Sequence, residues 1–167
     1  MSKVERTLIL FKPDAVQRGV VGEILTRFER VGLKIIGTKM IAPDEKHYHG
    51  HYEEIGQVIT RRGQEVFDNV LTMMAEGPVI AMVLEGIEAV ELVRKLVGST
   101  EPKSAAPGTI RGDYSHMSYG YGDEQHKGIP NLIHASGDAA DAEKEIPHWF
   151  SDEELYDYSV LHEKFTR

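Results

Sequence analysis

The sequence predicts an α+β fold in which helices pack on a four-stranded sheet. Two observations carry this. Short apolar runs occur at four points along the chain, each too brief for an ordinary helix, and amphipathic stretches at helical spacing lie between them. The resulting order is strand, helix, strand, helices, strand, helix, strand, helix. A doubly wound parallel sheet is the alternative, because four strands alternating with helices also suit it. The 167 residues are expected to form one domain, 1–167, since a chain of this length can bury a substantial single core.

Residues 7–11 form the first apolar run, stopped by Lys12-Pro13-Asp14, which reads as a proline turn that delivers Lys12 to a loop mouth. From Gly22, the positions Ile24, Leu25, Phe28 and Val31 recur at helical spacing, and Gly32 terminates the helix. Residues 33–41 are β-rich, and Pro43-Asp44-Glu45 opens a His-rich helix reaching to Glu54. A helix over 64–75 carries Val66, Phe67, Val70, Leu71 and Met74 on one side. Residues 78–84 are nearly all apolar and read as a central strand, followed by a helix over 88–97 ended by Gly98. The stretch 99–130, rich in Gly, Pro, Ser and Tyr, reads as a long functional loop. A short strand over 131–135 and an acidic helix over 138–146 precede a tail through Trp149 and Phe150.

Hydrophobic residues at 41% and charged residues at 28% place the chain among folded globular proteins. A net charge of −8 argues against specific nucleic-acid binding, so a polyanionic ligand must meet a local positive cluster, and small nucleotides fit better than duplexes. No apolar run approaches the ~20 residues of a membrane span. Without cysteine there is no disulfide framework or thiolate chemistry, and Met-Ser-Lys leads into a strand with no signal-peptide core, so a cytoplasmic location is expected.

The most informative segment is NLIHASGD, 131–138, which sets His134 among small residues before an acidic helix. A nucleophilic histidine needs one ring nitrogen free and the other held as a donor by an acceptor that fixes the tautomer. Glu145 can supply that acceptor. PGTIRGDY, 107–114, puts Arg111 in a glycine-punctuated loop suited to clamping phosphate oxygens, and together the two segments suggest phosphoryl transfer through a histidine. Each residue also has a plainer reading: His134 as a hydrogen-bonded structural residue, Glu145 and Arg94 as solvated helix charge, Lys12 as part of a turn. Tyr52 could cap the core, and Thr100, Asn131 and Ser136 could be loop or cap groups. HYHGH, 47–51, invites a metal reading, but no cysteine or carboxylate completes a tetrahedral set, and a solvated helix is preferred.

KPDAVQRG at 12–19, GHY at 50–52, GPVIAMVLEG at 77–86, PGTIRGD at 107–113 and NLIHAS at 131–136 resemble, in order, the signature blocks of the nucleoside diphosphate kinase family, across nearly the whole chain. The resemblance implies a ferredoxin-like antiparallel sheet, assembly into homo-hexamers or tetramers, and exchange of the γ-phosphate between nucleoside tri- and diphosphates, ATP among them. It implies a ping-pong cycle with His134 as nucleophile, Glu145 on its other ring nitrogen, and Ser136 supporting that carboxylate. Arg94, Thr100 and Arg111 match the phosphate clamp. Lys12 and Asn131 match the residues that bind the ribose hydroxyls and the bridging oxygen, and Tyr52 the phenol near the transferred phosphate. Mg2+ is implied as a bridge between nucleotide phosphates, with no protein ligands of its own. The base contact falls on Val66 or Phe67. The chain is longer than the family pattern between Tyr52 and Gly77 and again over 114–130, and Gly137, followed by Asp138, stands where the family usually has an acid. A nucleotide-binding regulator and a histidine-phosphorylated scaffold are the other functions that the same residues could serve.

Overall fold

The structure is a computed structural model and describes residues 3–166. Strands β1 (Val4–Phe11), β2 (Lys34–Ile41), β3 (Val79–Ile87) and β4 (Ile133–Ala135) form one sheet in the order β2-β3-β1-β4, with every neighbouring pair antiparallel. That pairing is ferredoxin-like and excludes the doubly wound parallel alternative. The helices in chain order are α1 (Pro13–Gln17), α2 (Val21–Arg30), α3 (Glu45–His49), α4 (Val58–Arg62), α5 (Gln64–Met74) and α6 (Ala89–Val97). They continue with α7 (Ile110–Tyr114), α8 (Tyr119–Glu124), α9 (Ala139–Trp149) and α10 (Glu163–Thr166). Among the described residues no helix is long and apolar enough to cross a membrane.

β1 occupies the sheet centre because its apolar run is buried on both faces. Ile9 and Phe11 join Ile24 and Phe28 of α2 and Val93 and Val97 of α6 in one cluster. Leu8 and Leu10 point the other way, as alternation along a strand requires, onto Tyr48, Phe67, Met74 and Trp149 from α3, α5 and α9. Each fully buried Phe or Leu contributes roughly 1.5–3 kcal/mol. The site lies where β1 and β4 emerge from between these layers.

Several boundaries differ from those read in the sequence, each for a physical reason. β1 begins at Val4 and β3 runs to Ile87 because Arg6 pairs with Glu85 across the ladder at 3.1 Å, a charged pair that breaks the apolar pattern without breaking the pairing. Pro13 is the first residue of α1, where its fixed φ and missing N–H cost nothing. The expected loop over 99–130 contains a 3₁₀ turn (Pro102–Ser104), α7 and α8, the two helices capped by the Thr109 and Ser118 hydroxyls. Helices of five or six residues are too short to show a periodic signal. α9 continues through Pro147 to Trp149, because burying Trp149 and Phe150 outweighs the lost helical hydrogen bond. The His-rich helix gives way at Gly50 to a π-helical turn (Gly50–Ile55).

Candidate active site

His134 stands on β4 opposite Leu10, at the edge of the ladder that β4 makes with the central strand. Its Nε2 lies 2.9 Å from Glu145 Oε1 on α9. The other carboxylate oxygen accepts the Ser136 hydroxyl at 2.6 Å, and Ser136 Oγ in turn accepts the Leu8 backbone N–H at 3.1 Å. Glu145 is thus tied through Ser136 to β1, an interior strand of the sheet. Burial alone would push its carboxyl up, but the adjacent imidazole and the hydrogen bonds from His134 and Ser136 outweigh this and hold it below the usual carboxylate range. An ionised Glu145 puts the His134 proton on Nε2. Nδ1 is left as a lone-pair nitrogen with no partner among the described residues.

The preceding backbone is strained toward the same end. Leu132 is fully buried at φ 72°, a left-handed conformation costing a branched residue on the order of 1–3 kcal/mol. Its N–H donates to Asp14 Oδ2 at 3.0 Å and its carbonyl accepts the Lys12 N–H at 2.9 Å, so the start of α1 and the residue that caps it hold the kink. Lys12 Nζ donates to Asn131 Oδ1 at 2.7 Å, and Asn131 Nδ2 donates to the Thr100 carbonyl at 2.9 Å. Burial, then the neighbouring Arg111, lowers the Lys12 ammonium to about 8.

Arg111 is 3% exposed, and its guanidinium donates to the backbone carbonyls of Asn131, Gly98 and Ile133. Three of its five N–H groups therefore brace the β4 approach, leaving two for a ligand. Burial, with Arg94 beside it, lowers its pKa to about 10, so it stays charged at neutral pH. Arg94 is exposed at the mouth and makes no hydrogen bond or ion pair among the described residues. Thr100 is exposed beside it.

The π-helical turn places Tyr52 and His51 against the same cavity. Gly50 is required there, since a Cβ would come within 2.6 Å of the His148 ring. The Tyr52 hydroxyl is buried with no hydrogen-bond partner among the described residues, and burial pushes its pKa far up. Of the two candidates for base contact, Val66 lines the cavity. Phe67 does not: it is 4% exposed, packed in the core with its ring edge-on to His49, because the next position along α5 points at the sheet.

These residues surround one cavity of about 310 Å³, in the size range of small-molecule sites. Six cationic side chains face it, Lys12, Arg61, Arg62, Arg94, Arg111 and Lys127, against three carboxylates, on a chain whose net charge is −8. Sequence reasoning missed Arg61, Arg62 and Lys127. They come from the two longer segments, which meet across the mouth: Arg62 donates to the Tyr119 hydroxyl at 3.2 Å and lies 4.3 Å over its ring, and His126 reaches Glu65 at 2.9 Å. Nothing in the sequence signalled that the segments meet, though their paired length was visible. Asp138, beside Gly137, caps α9 by accepting the Asp141 N–H at 2.8 Å.

Fold and site define an α+β protein with an oriented imidazole at the wall of a cationic cavity. The sequence profile of nucleoside diphosphate kinase matches residues 5–155. A nucleoside diphosphate kinase of Pyrococcus furiosus is 47% identical over 167 residues, covering 100% of this chain and 96% of the relative. A solved structure from Borrelia burgdorferi, a transition-state mimic with bound vanadate and ADP, superposes with a TM-score of 0.94 at 44% identity, over 98% of this chain and 96% of that one. The Halobacterium salinarum enzyme in complex with CDP gives a TM-score of 0.82 at 41% identity, over 96% and 97%. The chain belongs to the nucleoside diphosphate kinase family of enzymes.

Proposed function

We propose that this chain, acting as one domain, moves the γ-phosphate of a nucleoside triphosphate to a nucleoside diphosphate through a phosphohistidine at His134. The observation that carries the reading is the His134–Glu145–Ser136 chain, which leaves Nδ1 unprotonated at the wall of a cationic cavity. Nδ1 attacks the γ-phosphorus, the P–N bond forms as the bond to the β–γ bridging oxygen breaks, and the diphosphate leaves with that electron pair. The developing imidazolium is stabilised by Glu145 through Nε2–H. The second half-reaction is the reverse, on an acceptor diphosphate.

Arg94, Thr100 and the two uncommitted Arg111 N–H groups would hold phosphate oxygens, with Lys12 and Asn131 on the ribose hydroxyls and bridging oxygen. The Tyr52 hydroxyl suits the transferred phosphoryl group, because an orphan buried hydroxyl costs about 1–3 kcal/mol until it finds an acceptor. Magnesium enters with the nucleotide as part of the substrate. Among the described residues the only group with ligand atoms converging within 4.8 Å is His51, His134 and Glu145, and two imidazoles suit a hard oxygen-seeking cation poorly. Assembly into hexamers or tetramers belongs to the same proposal, supported by β2, which ends the sheet and leaves Met40 57% exposed. So does the expected cytoplasmic placement.

Incubation with γ-labelled ATP tests the reading. The protein should take up an acid-labile, base-stable label that ADP, GDP, CDP and UDP all remove rapidly. Stable label without transfer would indicate a scaffold, and no label a binder. Efficiencies across the four diphosphates should spread by roughly 10–100-fold, since Val66 offers apolar contact and no edge recognition. Of Tyr114, Tyr119 and Tyr121, only Tyr119 lines the cavity among the described residues. The Tyr114 hydroxyl donates to Glu23, that of Tyr119 accepts from Arg62, and Tyr121 lies exposed under Lys127. ADP in one similar structure and CDP in another fit such tolerance.

Lys12 supplies a pH prediction. Its pKa of about 8 lies below the unfolded value of ~10.4, so the unliganded fold gains stability from this group as pH rises between the two. Nucleotide binding needs the ammonium and weakens over the same window. kcat/KM, which reports free-enzyme ionisations, should therefore fall above about pH 8 while thermal stability does not, and Lys12→Gln should lower kcat/KM and remove that limb. A limb that persists in the variant assigns it to another group.

A further inference from the structure

His51 is buried beside His134 and has no part in the phosphotransfer steps above. It is 2% exposed, and its Nδ1 accepts the indole N–H of Trp149, itself 2% exposed, at 3.1 Å. Indole nitrogen only donates, so Nδ1 carries no proton. His51 is held neutral by burial and by the surrounding groups His134 on β4, His148 on α9, His47 on α3 and Lys12, which all push its pKa well down. The remaining proton is therefore on Nε2. The ring stands edge-on to His134, centroids 4.5 Å apart at 83°, and edge-on to Tyr52 at 4.7 Å. Trp149 is braced from behind by His47, edge-on at 4.4 Å, whose other neighbour is the stacked His148 ring at 4.2 Å.

We propose that His51, with its tautomer locked by Trp149, is a positioning residue for His134: an uncharged ring wall that keeps Nδ1 of the nucleophile turned into the cavity. This rests on the reading of His134 as nucleophile. The Glu145 hydrogen bond fixes one point of the His134 ring, and a second contact across its face fixes the plane. Phosphoryl transfer demands a reacting nitrogen held within about 10–20° of the in-line direction. A charged neighbour would oppose the imidazolium that forms as the P–N bond is made, and a neutral one does not. The same tautomer argues against metal ligation by His51, His134 and Glu145, because coordination through Nε2 would have to expel its proton and leave an imidazolate accepting the indole.

Substitutions at His51 and Trp149 separate the ring wall from the hydrogen bond that locks its tautomer. His51→Gln places an amide nitrogen near the Nε2 position. His51→Asn keeps an acceptor for Trp149 but withdraws the group facing His134. Trp149→Phe retains the ring and deletes the donor that locks the tautomer. We expect kcat to fall by roughly 10–100-fold in His51→Asn and about 10-fold in Trp149→Phe, with nucleotide KM within about 2-fold, and His51→Gln, which has neither the ring nor the acceptor for Trp149, to fall at least as far as His51→Asn. On the wild-type protein, ¹⁵N NMR should show His51 as the Nε2–H tautomer from about pH 5 to 9, a readout that needs neither activity nor folded variants. An Nδ1–H or titrating His51, or wild-type kcat in both His51→Asn and Trp149→Phe, overturns the proposal even when wild-type phosphotransfer is intact. Absent wild-type phosphotransfer strikes the phosphohistidine reading instead.

Discussion

Replacing His134 with alanine abolishes phosphotransfer and the acid-labile label together, because removing the nucleophile closes the covalent route. The fold survives. The His134 side chain is 21% exposed at a strand end, so little packing is lost, but Glu145, 5% exposed, is left with Ser136 as its remaining partner. That costs about 1–2 kcal/mol, which for a chain of this size lowers Tm by roughly 2–8 °C. Label incorporation from γ-labelled ATP and a thermal melt check both halves. Near-normal turnover in this variant ends the phosphohistidine mechanism, and a collapsed melt gives His134 a structural role that its exposure does not suggest.

Glu145→Gln lowers kcat by roughly one to three orders of magnitude while nucleotide affinity changes by less than about 2-fold. The amide keeps the volume and removes the charge that favours the imidazolium. It also offers one acceptor where two donors, His134 Nε2–H and the Ser136 hydroxyl, now converge. If the amide oxygen faces His134, the amide nitrogen must donate to Ser136, whose own proton is pushed toward the Leu8 carbonyl 3.5 Å away. The stability signature follows from the depressed pKa of Glu145: its contribution is present above the unfolded value of ~4.3 and is lost as pH falls through the lower folded value. Acid unfolding of the variant should accordingly be less steep below about pH 4. Binding that collapses while the chemical step is untouched would assign Glu145 to nucleotide contact.

Four of the five sequence blocks contribute residues that line one cavity, while the fifth, 77–86, carries β3 and lines none of it, and the expected alternation of strands and helices is observed with the short helices α1, α7, α8 and α10 added to it. These features were legible because each is local. The run 7–11 records burial on both faces of a central strand, Ile24 and Phe28 record one buried helix face, and the eleven-residue spacing from His134 to Glu145 spans one strand end, a short connection and about two helical turns. Strand direction was not local. Parallel and antiparallel sheets bury the same side chains, and only the register Leu10↔His134 and Thr7↔Leu84 distinguishes them. The choice between Val66 and Phe67 turned on one helical step of about 100° relative to a sheet whose position the sequence does not state. Arg111 reads as a free phosphate clamp until β4 brings three carbonyls to it, and His51 reads as solvated until Trp149, carried past Pro147 by core burial, closes on its Nδ1. By itself the sequence determined which residue types could do this chemistry and, for His134 on β4 and Glu145 on α9, on which elements they lie. The tertiary structure decided which donor meets which acceptor, because a buried polar group is satisfied by whatever the fold sets within about 3 Å of it, however distant in the chain.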